Sequence, residues 1–474
     1  MPFAHDACPQ ARAALADVRH EPLWLANPDR PAARPALTTD STADVVVVGG
    51  GLSGLWAAVR AKQRRPEAHV VLLEGERIAE AASGRNGGFL SASITHGHAN
   101  GLARWPEEFG LLEELGRRNM AEIEQTIEDF DIDCGYSRVG EFDVATEPYQ
   151  VVRLREHAAL LAQHGVDLEV LDAEQVRAAV NSATYLGGLY DPHVATVDPA
   201  RLCWGLARVA ESLGVVIHEW SQVVGIDSDG QASELRLRTA LGGSVAARRV
   251  ALTAGVHAPL LRRIDAYVVP VFDHVVATAP LPPLVLSELG WRGRQGVADS
   301  GNLFHYYRLT PDDRILWGGY DAVYARGQRP GSPVERDDAV TARLVQHLHD
   351  TFPSVAQVPI EFAWAGAIDT CSRFSAFWGQ AYSGRLAYVA GYTGLGVGAS
   401  RFGAEVLLDL LWDEDTERTG LDMVRRKPLP FPPNPLRQLG INLTRRSLAS
   451  ADARQGRRNL WLRTLDRAGL GFDS

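Results

Sequence analysis

Six residues, Gly49-Gly50-Gly51-Leu52-Ser53-Gly54, stand between the apolar run Asp44–Val48 and a stretch, Leu55–Gln63, with helical spacing. Glycines at 49, 51 and 54 satisfy G-x-G-x-x-G: the first permits a tight turn, the second lets backbone approach a pyrophosphate, and the third lets helix and strand pack closely. Leu52 and Ser53 then open a helix whose unpaired N–H groups and positive end receive phosphate. Glu74 follows the second apolar run, His69–Leu73, and precedes Gly75. An acid about 20 residues beyond the glycines suits a ribose hydroxyl and disfavours a 2′-phosphate. A glycine-rich turn alone is weak evidence. Strand, turn, helix and acid together predict a dinucleotide site.

Other side chains offer chemistry of their own. In Asn302-Leu303-Phe304-His305-Tyr306-Tyr307-Arg308, strand alternation puts His305 and Tyr307 on one face and Phe304, Tyr306 and Arg308 on the other. His305 and Tyr307 are the expected pocket wall, with ordinary sheet aromatics an equal alternative. Arg308 fits either a substrate carboxylate or a salt bridge. His96, in Thr95-His96-Gly97-His98, is a third catalytic candidate, although a loop histidine without a role is the plainer reading. The His-x-His pair lacks a third ligand at usable spacing, so no metal is expected. Cys8, Cys134, Cys203 and Cys371 lie far apart without a CxxC pair, as reduced thiols do.

Past Glu74, Gly84, Gly87 and Gly88 crowd around Arg85 and Asn86, where small residues let backbone lie against a flat or anionic ligand. Ala82-Ser83-Gly84-Arg85-Asn86-Gly87-Gly88 resembles a motif of the D-amino acid oxidase-like superfamily of FAD enzymes, within it the γ-glutamylputrescine oxidase-like branch. Ala254-Gly255 after an apolar strand, and Leu386–Gly398 with its strand, glycine turn and helix, are similar to two further landmarks. The resemblance implies FAD, held non-covalently, with Ser83–Gly88, Val223, Ala254, Gly255, Gly366, Gly391, Gly394, Leu395, Gly396 and Val397 around it. It also implies oxidation of an amine C–N bond: hydride passes to flavin N5, the imine hydrolyses, and O2 reoxidises the flavin to give H2O2. Arg373 and Ala376 stand where the family usually has Asp and Pro, so substrate-side details do not carry over. An FAD dehydrogenase feeding a quinone or an electron-transfer protein, and a non-catalytic FAD subunit of a complex, are the competing readings. Gly394-x-Gly396-x-x-Ala399 also fits a second dinucleotide fingerprint, but no strand ending in an acid follows to complete it.

These sites need a particular frame. The expected fold class is α/β, with a Rossmann-type, glutathione reductase-like FAD-binding domain and a discontinuous substrate domain on a mixed or antiparallel sheet. Residues 1–40 read as a lead-in arm; 41–98, 196–262 and 360–412 as the FAD-binding domain; 99–195 and 263–359 as the substrate domain; and 413–474 as a basic extension. A formal charge of −10 without a basic–aromatic stretch excludes wholesale nucleic-acid binding. No run reaches the ~18 apolar residues of an integral membrane segment. The N-terminus lacks a secretory h-region, so a cytoplasmic location is expected. The basic extension is expected to pack on self or partner rather than on membrane, and a homo-oligomer is left open.

Overall fold

The computed structural model describes residues 3, 6–228, 233–256, 260–320, 323–324, 335–467 and 469–471. The β-branched strand Ser41–Val48 is apolar throughout its C-terminal half because it lies inside a sheet, parallel to Ser244–Leu252 on one side and Val70–Leu73 on the other. Val216–His218 extends the sheet beyond Val70–Leu73, and Leu386–Ala390 extends it beyond Ser244–Leu252, both in parallel. Phe377–Ala381 and the pair Val223–Asp227 and Leu235–Thr239 complete eight strands with antiparallel pairings. Alternate side chains enter different cores, Val45 and Val47 with Leu55 and Val406, Val46 and Val48 with Leu237 and Tyr388.

Helices Leu52–Arg64 and Gly396–Trp412 both open at glycine turns, and they pack side by side. Buried Glu405 and Asp409 lock them together: Glu405 pairs with Arg60 and Arg64, and Asp409 with Arg64 at 2.7 Å and Arg418 at 2.8 Å. Buried acids are costly unless compensated, and here each has at least two arginines, Glu405 also lying within 4 Å of Arg401 and Arg418.

A second eight-stranded sheet runs Ile360–Thr370, Val269–Thr278, Ile315–Gly319, His305–Leu309, Gly296–Asp299, Glu141–Ala145, Gly187–Asp191, Glu169–Asp172. Only the pair Gly296–Asp299 and Glu141–Ala145 is parallel. One face meets the nucleotide side through Val275, Leu316 and Trp364; the other packs Trp317, Tyr307 and Val276 against Leu344, Val345 and Leu348 of helix Asp338–Thr351. One expectation changes. Ile360–Thr370 pairs along its length with Val269–Thr278, so the passage back to the nucleotide-side sheet falls after Thr370, not before Ile360. The lead-in arm is fastened to both bodies: Cys8 N–H donates to Gln346, Ala363 N–H donates to the Arg19 carbonyl, and Trp24 is buried. Residues 325–334, expected in the substrate domain, lie outside the described residues.

Candidate active site

The predicted nucleotide contacts Gly49, Glu74, Gly75, Ala254, Gly255 and Gly391 fall at the carboxyl ends of the first sheet's parallel strands, where ligands of doubly wound folds bind. Gly49 follows Val48, Glu74 and Gly75 follow Leu73, Ala254 and Gly255 come just after Leu252, and Gly391 follows Ala390. Gly49 has φ +112° and lies against Thr253, so a side chain there is excluded twice over. A Cβ on Gly54 would run into the Gly49 carbonyl, and one on Gly51 would lie 2.7 Å from Ser83 Oγ. Gly255, at φ +55°, faces open space, Gly394 meets nothing nearer than 3.9 Å, and Gly396 nothing nearer than 3.6 Å. The cradle therefore is tight where the chain crosses itself and open where a flat ligand would lie.

Glu74 accepts the Gly50 N–H, and the Glu76 N–H at 2.8 Å, while burial pushes its carboxyl above the usual range. Ser221 N–H reaches the Glu74 carbonyl and Gln222 abuts Gly75, which brings Val223 to the same end of the sheet. Ser53 Oγ donates to Tyr392 OH at 2.8 Å, coupling the first glycine turn to the last. Leu395 caps the helix in which Val397 is buried.

The segment after Glu74 owes its composition to protein contacts as much as to a ligand. Gly84, Gly87 and Gly88 leave room for the Ala79 carbonyl, the Tyr306 ring and the Val197 carbonyl respectively. Ser83 Oγ accepts the Leu52 N–H at 3.0 Å. Asn86 folds the turn, donating to the Ala82 and Ser83 carbonyls and accepting from Gly88 N–H. Arg85 reaches the second sheet through the Ala365 carbonyl and pairs with Glu335, and a Cβ on Gly366 would lie 3.3 Å from Arg85 Cβ. Two indoles hold the carbonyls: Trp24 Nε1 donates to Asn86 O and Trp364 Nε1 to Arg85 O, each at 2.8 Å.

The alternation expected for 304–308 is present, but the other face looks toward this segment. Tyr306 stands beside Gly87 and edge-on to Phe89 at 5.8 Å; its hydroxyl donates to Asp273, a residue the sequence reading passed over. Both keep some accessible surface, and desolvation lifts the Asp273 carboxyl to about 6. Along the same face Tyr306 aligns through Ala298 with Asp143, which is exposed, and with half-buried Glu141 one alternation away. Arg308 is buried against Gly88, donating to Val197 O and stacking over Trp24 at 5.1 Å, so it is neither a surface salt bridge nor open to a substrate.

His305 and Tyr307 point away from the glycine segment. His305 is bonded to Asp299 at 2.6 Å and His347 at 2.9 Å, and Tyr307 to Tyr185 at 2.8 Å, all buried in the core over helix Asp338–Thr351. His274, adjacent to Asp273, takes the opposite side of its strand. His96 packs near Phe374, and burial lowers its pKa to about 4, leaving it neutral. His98 instead bridges Glu113 at 3.0 Å and Asp191 at 3.4 Å and is held protonated, its pKa near 10. Among the described residues no cluster suits a metal. Arg373 spends its guanidinium on the carbonyls of Ser375, Ala376 and Arg426, and Asp369 binds the Gly391 N–H at 2.6 Å.

A family profile described as FAD dependent oxidoreductase matches residues 44–410. The chain belongs to that family. FAD is thus its cofactor and redox chemistry its activity. Across 426 residues the oxidoreductase is 31% identical to γ-glutamylputrescine oxidoreductase of Escherichia coli (strain K12), covering 86% of this chain and 92% of the relative. It is 26% identical to the probable oxidoreductase OrdL of Haemophilus influenzae, over 80% and 85% of the two chains. The fold is similar to glycine oxidase from Geobacillus kaustophilus, with TM-score 0.65, 21% identity, and 80% and 96% of the chains covered. The cradle is compatible with that cofactor: Gly49, Gly51 and Gly54 are closely packed, Gly255, Gly394 and Gly396 have open space, and Glu74 stands at a strand end where an acid would meet a ribose.

Proposed function

We propose that this flavoenzyme oxidises the C–N bond of a small amine or amino acid, with O2 as electron acceptor. The observation that carries the reading is the sheet face toward the glycine segment, which presents Asp273 hydrogen-bonded to Tyr306 and, farther along, Asp143 and Glu141. Burial holds the protons of such carboxylates above their ordinary range, and a cationic amine beside them favours the ionised form. The likeness to γ-glutamylputrescine oxidoreductase supports an amine over an alcohol.

FAD, when bound, supplies the acceptor for hydride leaving the amine's α-carbon. Asp273 anchors the ammonium. With its pKa lifted to about 6 it takes a proton from that nitrogen at lower cost than an ordinary carboxylate. Tyr306 orients the carboxylate, and with Phe89 it supplies an aromatic wall that keeps water from the reacting carbon. Water then hydrolyses the imine to a carbonyl compound and ammonia or an amine. FAD is held without a covalent bond: Cys371 is buried, with its thiol on the Ser375 and Gly391 carbonyls.

Anaerobic mixing with a panel of polyamine derivatives, N-methyl amino acids and glycine-like acids should bleach the flavin band for at least one class. If no amine bleaches it while an α-hydroxy acid does, the reading is wrong. Fast reoxidation by O2 in stopped flow supports the oxidase, and sluggish reoxidation the dehydrogenase. Acid denaturation should leave yellow colour in the supernatant; colour in the pellet would mean a covalent link.

A further inference from the structure

We propose that the C-terminal extension docks the enzyme on an anionic lipid surface. Charge divides the chain unevenly. From Arg425 onward there are eleven Lys and Arg against three Asp and no Glu, a net of +8, whereas residues 1–424 carry −18, which together make the chain's −10. Every exposed charge among the described residues of this stretch is cationic, because Asp452 is turned inward onto Asn302 and Leu303 and Asp466 pairs with Arg458 at 3.4 Å.

Apolar side chains are exposed in the same place. Helix Leu436–Asp452 is seated on the body by its C-terminal half, where Ser447, Leu448 and Ala451 are buried. Its N-terminal half presents Leu436, Leu439 and Leu443 at 61%, 63% and 45% exposure, a spacing of one helix face, with exposed Arg446 one turn on. With Leu429 and Leu460, this short stretch holds five of the thirteen large apolar side chains exposed among the described residues. Water is a poor solvent for such a concentration.

Leucines beside arginines need a partner that is both apolar and anionic. A second copy of this chain meeting it face to face would cover the leucines but set arginine against arginine. A bilayer surface offers negative headgroups directly above hydrocarbon, and a basic amphipathic helix lies at that boundary. No described helix is long and apolar enough to cross a membrane, so the attachment is peripheral.

Flotation of the full-length, FAD-loaded enzyme tests this, with vesicles of phosphatidylcholine alone or with about one quarter phosphatidylglycerol. The yellow protein should float with the anionic vesicles only, and added salt should release it. L439E with L443E should lower vesicle binding by about tenfold or more at unchanged flavin content and melting temperature. Arg446→Glu should weaken binding and leave amine turnover in solution intact. Failure to float at low salt, equal binding to neutral vesicles, or full binding by the leucine variant would overturn the proposal. So would a dimer in sedimentation velocity that dissociates in the leucine variant, which would assign the face to a second copy.

Discussion

Asp273 and His274 are consecutive on one strand, and a single residue of offset decides which of them shares the sheet face of Tyr306 and the glycine segment. If Asp273 holds the substrate ammonium, Asp273→Asn should lower kcat/KM by about a hundredfold with the flavin spectrum unchanged, since it leaves a desolvated charge unpaired. The pH profile gives a second check. With the carboxyl lifted to about 6, the wild type should lose kcat/KM as pH falls through that value, because the protonated acid cannot hold a cation. The asparagine variant should show no such limb. A limb that survives assigns the pKa to another group. Tyr306 was legible as a strand aromatic, and the two faces of 304–308 were separated correctly from alternation alone. Which face met the cofactor was not legible, because helix Asp338–Thr351, packed on His305 and Tyr307, is distant in sequence. Asp273 did leave a signal, the one acid in the mostly apolar strand Val269–Thr278, and it went unweighed.

At the scale of elements, the glycine turn, the acid at 74 and the final strand–turn–helix could be read directly, since each is local in sequence. The arm could not, because its value lies in contacts hundreds of residues away. Gly54→Ala should give protein with little bound flavin, read as a high ratio of 280 nm to 450 nm absorbance, since the added methyl meets the Gly49 carbonyl. Trp24→Phe keeps the ring beneath Arg308 but drops one hydrogen bond to the Asn86 carbonyl. A bond of that kind contributes about 1 kcal/mol, so FAD affinity should fall severalfold by titration of apoprotein. Unaltered affinity would show that the 82–88 turn holds itself. His98 fastens the loop behind that turn to helix Phe109–Asp129 and to strand Gly187–Asp191. Its pKa near 10 lies above the unfolded value of about 6.5, so the stabilisation is complete below about pH 6.5 and is lost as pH rises through about 10. His98→Gln should cost about 2–4 kcal/mol in denaturant melts at neutral pH, and the gap to wild type should narrow in alkali.

For the whole molecule, the α/β class was legible in the local order of strand and helix runs, while the division into two bodies came with the family resemblance and the sheet to which Ile360–Thr370 belongs required its partner strand. Interleaving has a consequence for how the enzyme is made. The nucleotide-side sheet takes strands from 41–73, from 216–252 and finally from 377–390, and the glycine turn at 391–396 arrives later still. Domains of a contiguous chain can fold as they leave the ribosome, the earliest first. This one has to wait: until some four-fifths of its length has emerged, the nascent polypeptide carries half a cradle, and loading with the vitamin-derived cofactor is an event of nearly finished translation.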